Sequence, residues 1–128
     1  MKNYLLTDFN SDRWTGINLD IVYSQLKELN ERIRIIGIIY GEVLNRKPKD
    51  FDVNFSNVSH TIERLTLLDG KVFGDITFLN NEKGCEAKAF INDENYIFDI
   101  RCAIVTDIDT NEIIIKRIFT WDVIPNII

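Results

Sequence analysis

Apolar residues between Ile17 and Ile33 recur at steps of three and four, through Leu19, Val22, Leu26 and Leu29. This spacing puts them on one face of an amphipathic helix, the best defined element of the chain. Asn18 or Asp20 can cap its start, because a short side-chain acceptor there takes up N–H groups that the first turn leaves unpaired. The segment RIRIIGIIYGEV that follows is rich in β-branched residues and predicts a buried strand, with Gly37 and Gly41 marking a bulge or a close backbone approach. Beyond the polar loop NRKPKDFD, the stretch VNFSNVSHTIERLTLL alternates loosely and predicts one or two strands, with a break near Ser56 and Asn57. Leu68, Asp69 and Gly70 form a tight-turn signal, so residues 65–67 and 72–78 are expected to pair as a hairpin. Asn80 and Asn81 end the second of these strands. Residues 82–91 suit a short helix that buries Ala87, Phe90 and Ile91, and residues 96–106 return to strand. DIDTNE at 107–112 reads as a turn, and residues 113–124 as a last strand, broken or bulged around Trp121.

Five to seven strands with one long and one short helix, and no repeat, predict an α+β fold built on a mostly antiparallel, barrel-like sheet. A chain of 128 residues with 45% hydrophobic content suits one ordinary core, so residues 1–128 are expected to form a single domain. The apolar run IIGIIY at 35–40 falls far short of the roughly 20 residues that span a bilayer. The opening MKNYLLTDFNSDRW lacks the long apolar centre of a secretory signal, which points to synthesis in a cytosol and to no membrane partner. In that compartment Cys85 and Cys102 are expected as free, half-buried thiols. A net charge of -5 with scattered basic residues argues against nucleic acid, whose phosphates are bound by lysine and arginine. Arg46, Lys47 and Lys49, next to Asp50 and Asp52, read as a solvated loop.

Little of the sequence carries chemistry. One histidine and two cysteines, without C-x-x-C or H-E-x-x-H spacing, predict no metal site and no cofactor. G-x-x-x-x-G-K-[ST], G-x-G-x-x-G and G-x-S-x-G are all absent, which removes the usual nucleotide cradles and the α/β-hydrolase elbow. His60, in NVSHTIERL, would serve as a general base only beside a nucleophile. Without one it reads as a strand histidine that packs against the hairpin and hydrogen-bonds locally. Cys102, in FDIRCAIV, is the one thiol that could form a dyad with it, but Ala103, Ile104 and Val105 mark a core strand rather than the electropositive, open setting of a reactive thiolate. Asp99, Asp107, Asp109 and Glu112 resemble a carboxylate cluster but suit a turn better than a calcium loop. Trp14, Trp121 and the eight phenylalanines are assigned to core or interface.

The order of these segments resembles the prohead maturation proteases of tailed phages, serine peptidases with an assemblin-like fold. FNSDRWTG before the helix is similar to an Asn/Gly/Arg loop of that family, and GEVLNRKP to its G-E-L-x-H-P strand end. Val58, Ser59 and His60 match a V-S-H strand, GKVFGDITFLNNEKG followed by CEAKAFI a hairpin and helix, DIRC an S-S-R-G strand, and TWDVIPN a closing W-D segment. The likeness extends from about Phe9 to Asn126.

The departures fall on the chemistry that the resemblance implies. Asn45 stands where the family has its catalytic histidine, and an amide side chain cannot take a proton from serine at neutral pH. Arg46 and Lys47 are inserted before Pro48. Asp99 and Ile100 replace the two serines, Arg101 is kept, and Asp122 lies in the region of the third, acidic member. The resemblance therefore implies a catalytically degenerate member: no enzyme, but a virion structural protein, auxiliary to or associated with the capsid and made in the host cytoplasm. Its partners would be capsid or other virion proteins, or a second copy, since assemblin-like proteins often self-associate. Apolar residues at the C-terminal end, Ile124 to Ile128, would be exposed for packing against a shell. Two alternatives stand beside this: an active protease using Cys102 and His60, and a transient scaffold or assembly factor.

Overall fold

The structure, a computed structural model, describes residues 1–93 and 95–126. Six strands and two helices follow in the order β1 (Lys2–Asp8), α1 (Leu19–Ile36), β2 (Ile39–Glu42), β3 (Val58–Leu68), β4 (Lys71–Phe78), α2 (Glu82–Ile91), β5 (Tyr96–Thr106) and β6 (Ile113–Pro125). Four strands form one antiparallel sheet, in the order β1-β4-β3-β2, and β5 pairs with β6. The α+β class is as expected, but the expected barrel does not close. β2 and β6 are joined by a parallel bridge between Val43 and Val123, and the Leu44 N–H donates to the Val123 carbonyl at 2.9 Å. On the opposite side, among the described residues, no backbone hydrogen bond connects β1 to β5.

α1 forms for the reason its spacing gives. Val22, Leu26, Leu29 and Ile33 are buried, each contributing about 1.5–3 kcal/mol, and the Asn18 carboxamide accepts from the Ile21 N–H at 3.1 Å. The segment expected as a strand after residue 33 instead continues the helix through Ile36. Ile33 falls on the buried stripe one turn beyond Leu29, and packing of that stripe outweighs the β-branched composition. Gly37, at φ 99°, ends the helix with its N–H on the Ile33 carbonyl, so it is a helix terminator and not a bulge. Only Ile39–Glu42 remain as strand.

The hairpin turn sits where the sequence puts it. Asp69 (φ 51°) and Gly70 (φ 77°) both adopt left-handed backbone, the two-residue geometry that matches strand twist. β3 runs on unbroken from Val58, with a single turn of 3-10 helix at Phe55–Asn57 before it. Its register slips between Glu63 and Thr66, where Arg64 takes φ 51°. There Asn30 of α1 grips the backbone of Leu65 twice, accepting from its N–H at 3.0 Å and donating to its carbonyl at 2.8 Å.

Other expectations need correction. β1 is a strand that the short apolar patch Tyr4–Leu6 did not suggest. α2 buries Ala87 but leaves Phe90 and Ile91 half-exposed. The bulges of the last hairpin lie opposite Arg101–Cys102 and Ala103–Ile104, not at Trp121, which pairs regularly with Ile100. Both thiols are free, but Cys85 is exposed and only Cys102 half-buried. Ile124 is buried rather than exposed, and Ile127 and Ile128 lie outside the described residues. No helix among those residues is long and apolar enough to cross a membrane.

Candidate functional site

Alternation along β5 separates two kinds of burial. Phe98 and Ile100 face the apolar core, while Asp99 and Arg101 point the other way and are equally buried. Asp122 lies directly opposite Asp99 on β6 and Trp121 opposite Ile100. Asp99 and Ile100, which the resemblance set against two serines, are therefore on opposite faces, and Ile100 is simply core.

Arg101 organises the polar face. Its Nε and Nη2 donate to the two oxygens of Asp122 at 2.9 and 2.6 Å, Nη2 also donates to Glu42 at 2.6 Å, and Nη1 donates to the Asp52 carbonyl at 2.9 Å. The Glu42 N–H donates to Asp122 at 3.0 Å. Such a forked, planar donor suits a buried carboxylate better than an ammonium would. Burial alone would lower the pKa of Arg101, but the bonds and charges of Asp122 and Glu42 more than reverse this and raise it. One guanidinium serves two carboxylates. Burial, helped by the Glu42 charge, accordingly holds Asp122 above the usual carboxylate range despite Arg101.

His60 lies beside this cluster, fully buried. Its Nε2 is 2.8 Å from the Trp121 carbonyl and its Nδ1 is 2.7 Å from the Ser59 hydroxyl. A carbonyl only accepts, so Nε2 carries the proton and Nδ1 accepts from Ser59. Burial lowers its pKa to about 4, against the weaker opposing effect of the Trp121 bond. The ring packs against Phe98 edge-on at 5.6 Å between centroids. Gly41 is what lets β2 lie against it, because a Cβ there would collide with both His60 Nε2 and the Trp121 carbonyl. Gly41→Ala should therefore destabilise the protein by about 1–3 kcal/mol, toward the upper end because both obstacles are fixed, as a shift in urea midpoint will show.

Asp99, 4% exposed, is held by Arg13 at 2.7 Å, with Lys47 Nζ at 3.8 Å. Arg13 comes from the loop before α1 that carries the resemblance, and Lys47 from the two-residue insertion before Pro48 that departs from it. Asp99 and Arg13 line a groove of about 440 Å³ between β1 and β5. Asn45 is exposed and opens onto a different groove, with Asn57, Lys83 and Glu86. Burial pushes the Cys102 thiol up to about 11, with Lys47, Asp99 and Arg13 as its charged surroundings. Asp107, Asp109 and Glu112 belong to a turn, as read, while Asp99 lies in β5: Asp107 accepts from the N–H groups of Asp109 and Thr110, and Glu112 accepts from Asn18. Among the described residues no three His, Cys, Asp or Glu side chains gather as metal ligands. Sequence reading missed Glu42 and Arg13 as members of the site, although an acidic residue following a strand glycine and an arginine beside a core tryptophan were both visible.

Compared with family models, with curated proteins and with solved structures, the chain finds no match.

Proposed function

We propose that this chain is a non-catalytic structural protein of a virus particle, an auxiliary or capsid-associated component built on a degenerate prohead-protease fold. One observation carries the reading. The short segments that suggested the family lie side by side: Arg13 reaches Asp99, Asp99 is paired across from Asp122, Glu42 and Asp122 share Arg101, and Gly41 lies against His60 and the Trp121 carbonyl. There each buried carboxylate is spent on a guanidinium, Asp99 on Arg13 and Asp122 and Glu42 on Arg101, and the neutral His60 bonds Ser59 and a carbonyl. Buried carboxylates so fully paired support a role in holding the fold together.

Burial speaks against the Cys102–His60 alternative. A dyad needs a thiol lowered and an imidazole near neutrality, whereas burial drives Cys102 up to about 11 and His60 down to about 4. Incubated with major capsid and scaffold proteins, the parent and Cys102→Ala should both leave them intact. Cleavage by the parent alone would restore the protease reading. Quantitative mass spectrometry of purified particles tests the structural role, which predicts a fixed copy number in mature virions. Presence only in immature particles would favour a transient assembly factor, and absence from both would refute a particle role.

A further inference from the structure

Away from the buried cluster, exposed apolar side chains gather where the end of α1, β2, the 50–55 loop and β6 meet. Ile36 is 66%, Phe51 50% and Phe55 72% exposed. With Ile39, Tyr40 and Phe119 they line an open groove of about 380 Å³. Single exposed apolar residues are ordinary, but contiguous aromatic ones mark interaction surfaces. These aromatics are already ordered. Phe51 stacks on Phe119 with centroids 4.7 Å apart and planes 12° from parallel, and Tyr40 meets Phe55 at 5.6 Å. From inside, Arg101 holds the Asp52 carbonyl, so the loop is fixed on both sides. A surface set in advance loses little entropy when a partner docks.

Charge at the margin decides the kind of partner. The Arg117 guanidinium lies 5.3 Å from the Phe119 ring centroid, and Arg32 donates to the Ile118 carbonyl at 2.9 Å. Among the described residues neither makes an ion pair, and the Arg32 Nε is buried without a partner. Burial and then the neighbouring Arg117 charge lower the pKa of Arg32, against the weaker pull of Glu28. Two guanidiniums thus crowd one margin of an aromatic groove in a chain of net charge -5, with Asp52 the one carboxylate residue in its lining.

We propose that this groove docks an acidic, apolar peptide segment of another protein, its apolar side chains on Phe51, Phe55 and Phe119 and a carboxylate between Arg32 and Arg117. Two-fold self-pairing about the groove would bring two such basic margins together, which makes a second copy the poorer occupant. The groove lies outside the buried polar cluster, so this inference stands whether or not the chain belongs to a particle.

Selection from a display library of short random peptides against the full chain, with counter-selection on Phe55→Ser, tests it. The enriched peptides should join aromatic or aliphatic residues to Asp or Glu. Synthetic copies should lose affinity on the order of ten-fold or more to Phe55→Ser and to Arg117→Glu. Both residues are exposed, and unchanged thermal melts will show that the variants fold. Failure to enrich a peptide family, enrichment of neutral or basic peptides, or affinities that ignore both variants would overturn the proposal. So would a dimer in sedimentation velocity that Phe55→Ser dissolves, which would assign the groove to a second copy.

Discussion

Arg101→Met should destabilise the protein by about 3–5 kcal/mol, the largest effect expected from any single side chain. The substitution leaves Glu42 and Asp122 buried, at 3% and 1% exposure, with no cation between them. It also frees the Asp52 carbonyl that tethers the 50–55 loop. The cost is that of stranding charge, not of losing attraction, and a second variant separates the two. With Glu42→Gln and Asp122→Asn added, the stranded charges are gone, the Glu42 N–H keeps an acceptor, and most of the lost stability should return. Acid gives an independent sign. Buried carboxylates without a cation take up protons on folding, so the single variant should be closer to the parent at pH 4 than at pH 7 in urea unfolding. A loss under about 1 kcal/mol at pH 7 would mean that the cluster is far more solvated than its geometry implies.

The second large effect is a loss of stability in mild acid that traces to His60. In the unfolded chain this histidine binds a proton near pH 6.5, and in the folded protein only near pH 4, because burial disfavours the cation. Between those values the unfolded state holds more protons, so stability is complete above pH 6.5 and falls as the pH drops toward 4, by about 3 kcal/mol in all. Asp122 works in the opposite direction: its raised carboxyl binds a proton more readily in the folded protein and adds stability as the pH falls. His60→Gln isolates the histidine. Its amide can still donate to the Trp121 carbonyl, and whatever the substitution costs at pH 7, the extra loss between pH 7 and pH 4.5 should largely vanish. An unchanged pH dependence in the variant would move the effect to the carboxylates.

The legible parts of this fold were those in which local chemistry and tertiary packing agree. Asn18 with its stripe of Val22, Leu26, Leu29 and Ile33, and the Asp69-Gly70 turn, are short-range devices, and each stands where its residues indicate. Residues 34–36 were misread because β-branched side chains favour strand on average, while here the helix runs on past Ile33, whose seat on the buried stripe holds the last turn. β1 was missed because its burial is one-sided and short: Leu6 is buried and Leu5 exposed, with Thr7 reaching in to accept from the Trp121 indole at 2.8 Å. The buried polar cluster was legible only in pieces. Asp99 and Asp122 attracted notice only as counterparts of catalytic groups and Arg101 only as a kept residue, whereas His60 was read as the packed, hydrogen-bonded strand histidine that it is. That Arg101 would bind Glu42 from 59 positions away is a fact of sheet register, which no local pattern encodes.

The two sides of the sheet assembly are fastened differently, and this gives the molecule the mechanics of a book. Its spine is the β2–β6 line, where the Val43–Val123 bridge, the Leu44 N–H, the Thr120 hydroxyl on the Tyr40 carbonyl and the whole Arg101 cluster run together. Its fore-edge, between β1 and β5, is closed by side chains alone: Tyr4 against Phe98, Thr7 with Trp121, and Arg13 with Asp99. Levering the β5–β6 leaf away from β1 breaks no ladder until the spine is reached. Water entering the molecule therefore wets the fore-edge, with its Arg13–Asp99 pair, first and the Arg101 cluster last, so the costliest groups to leave unpaired are the ones the hinge protects longest.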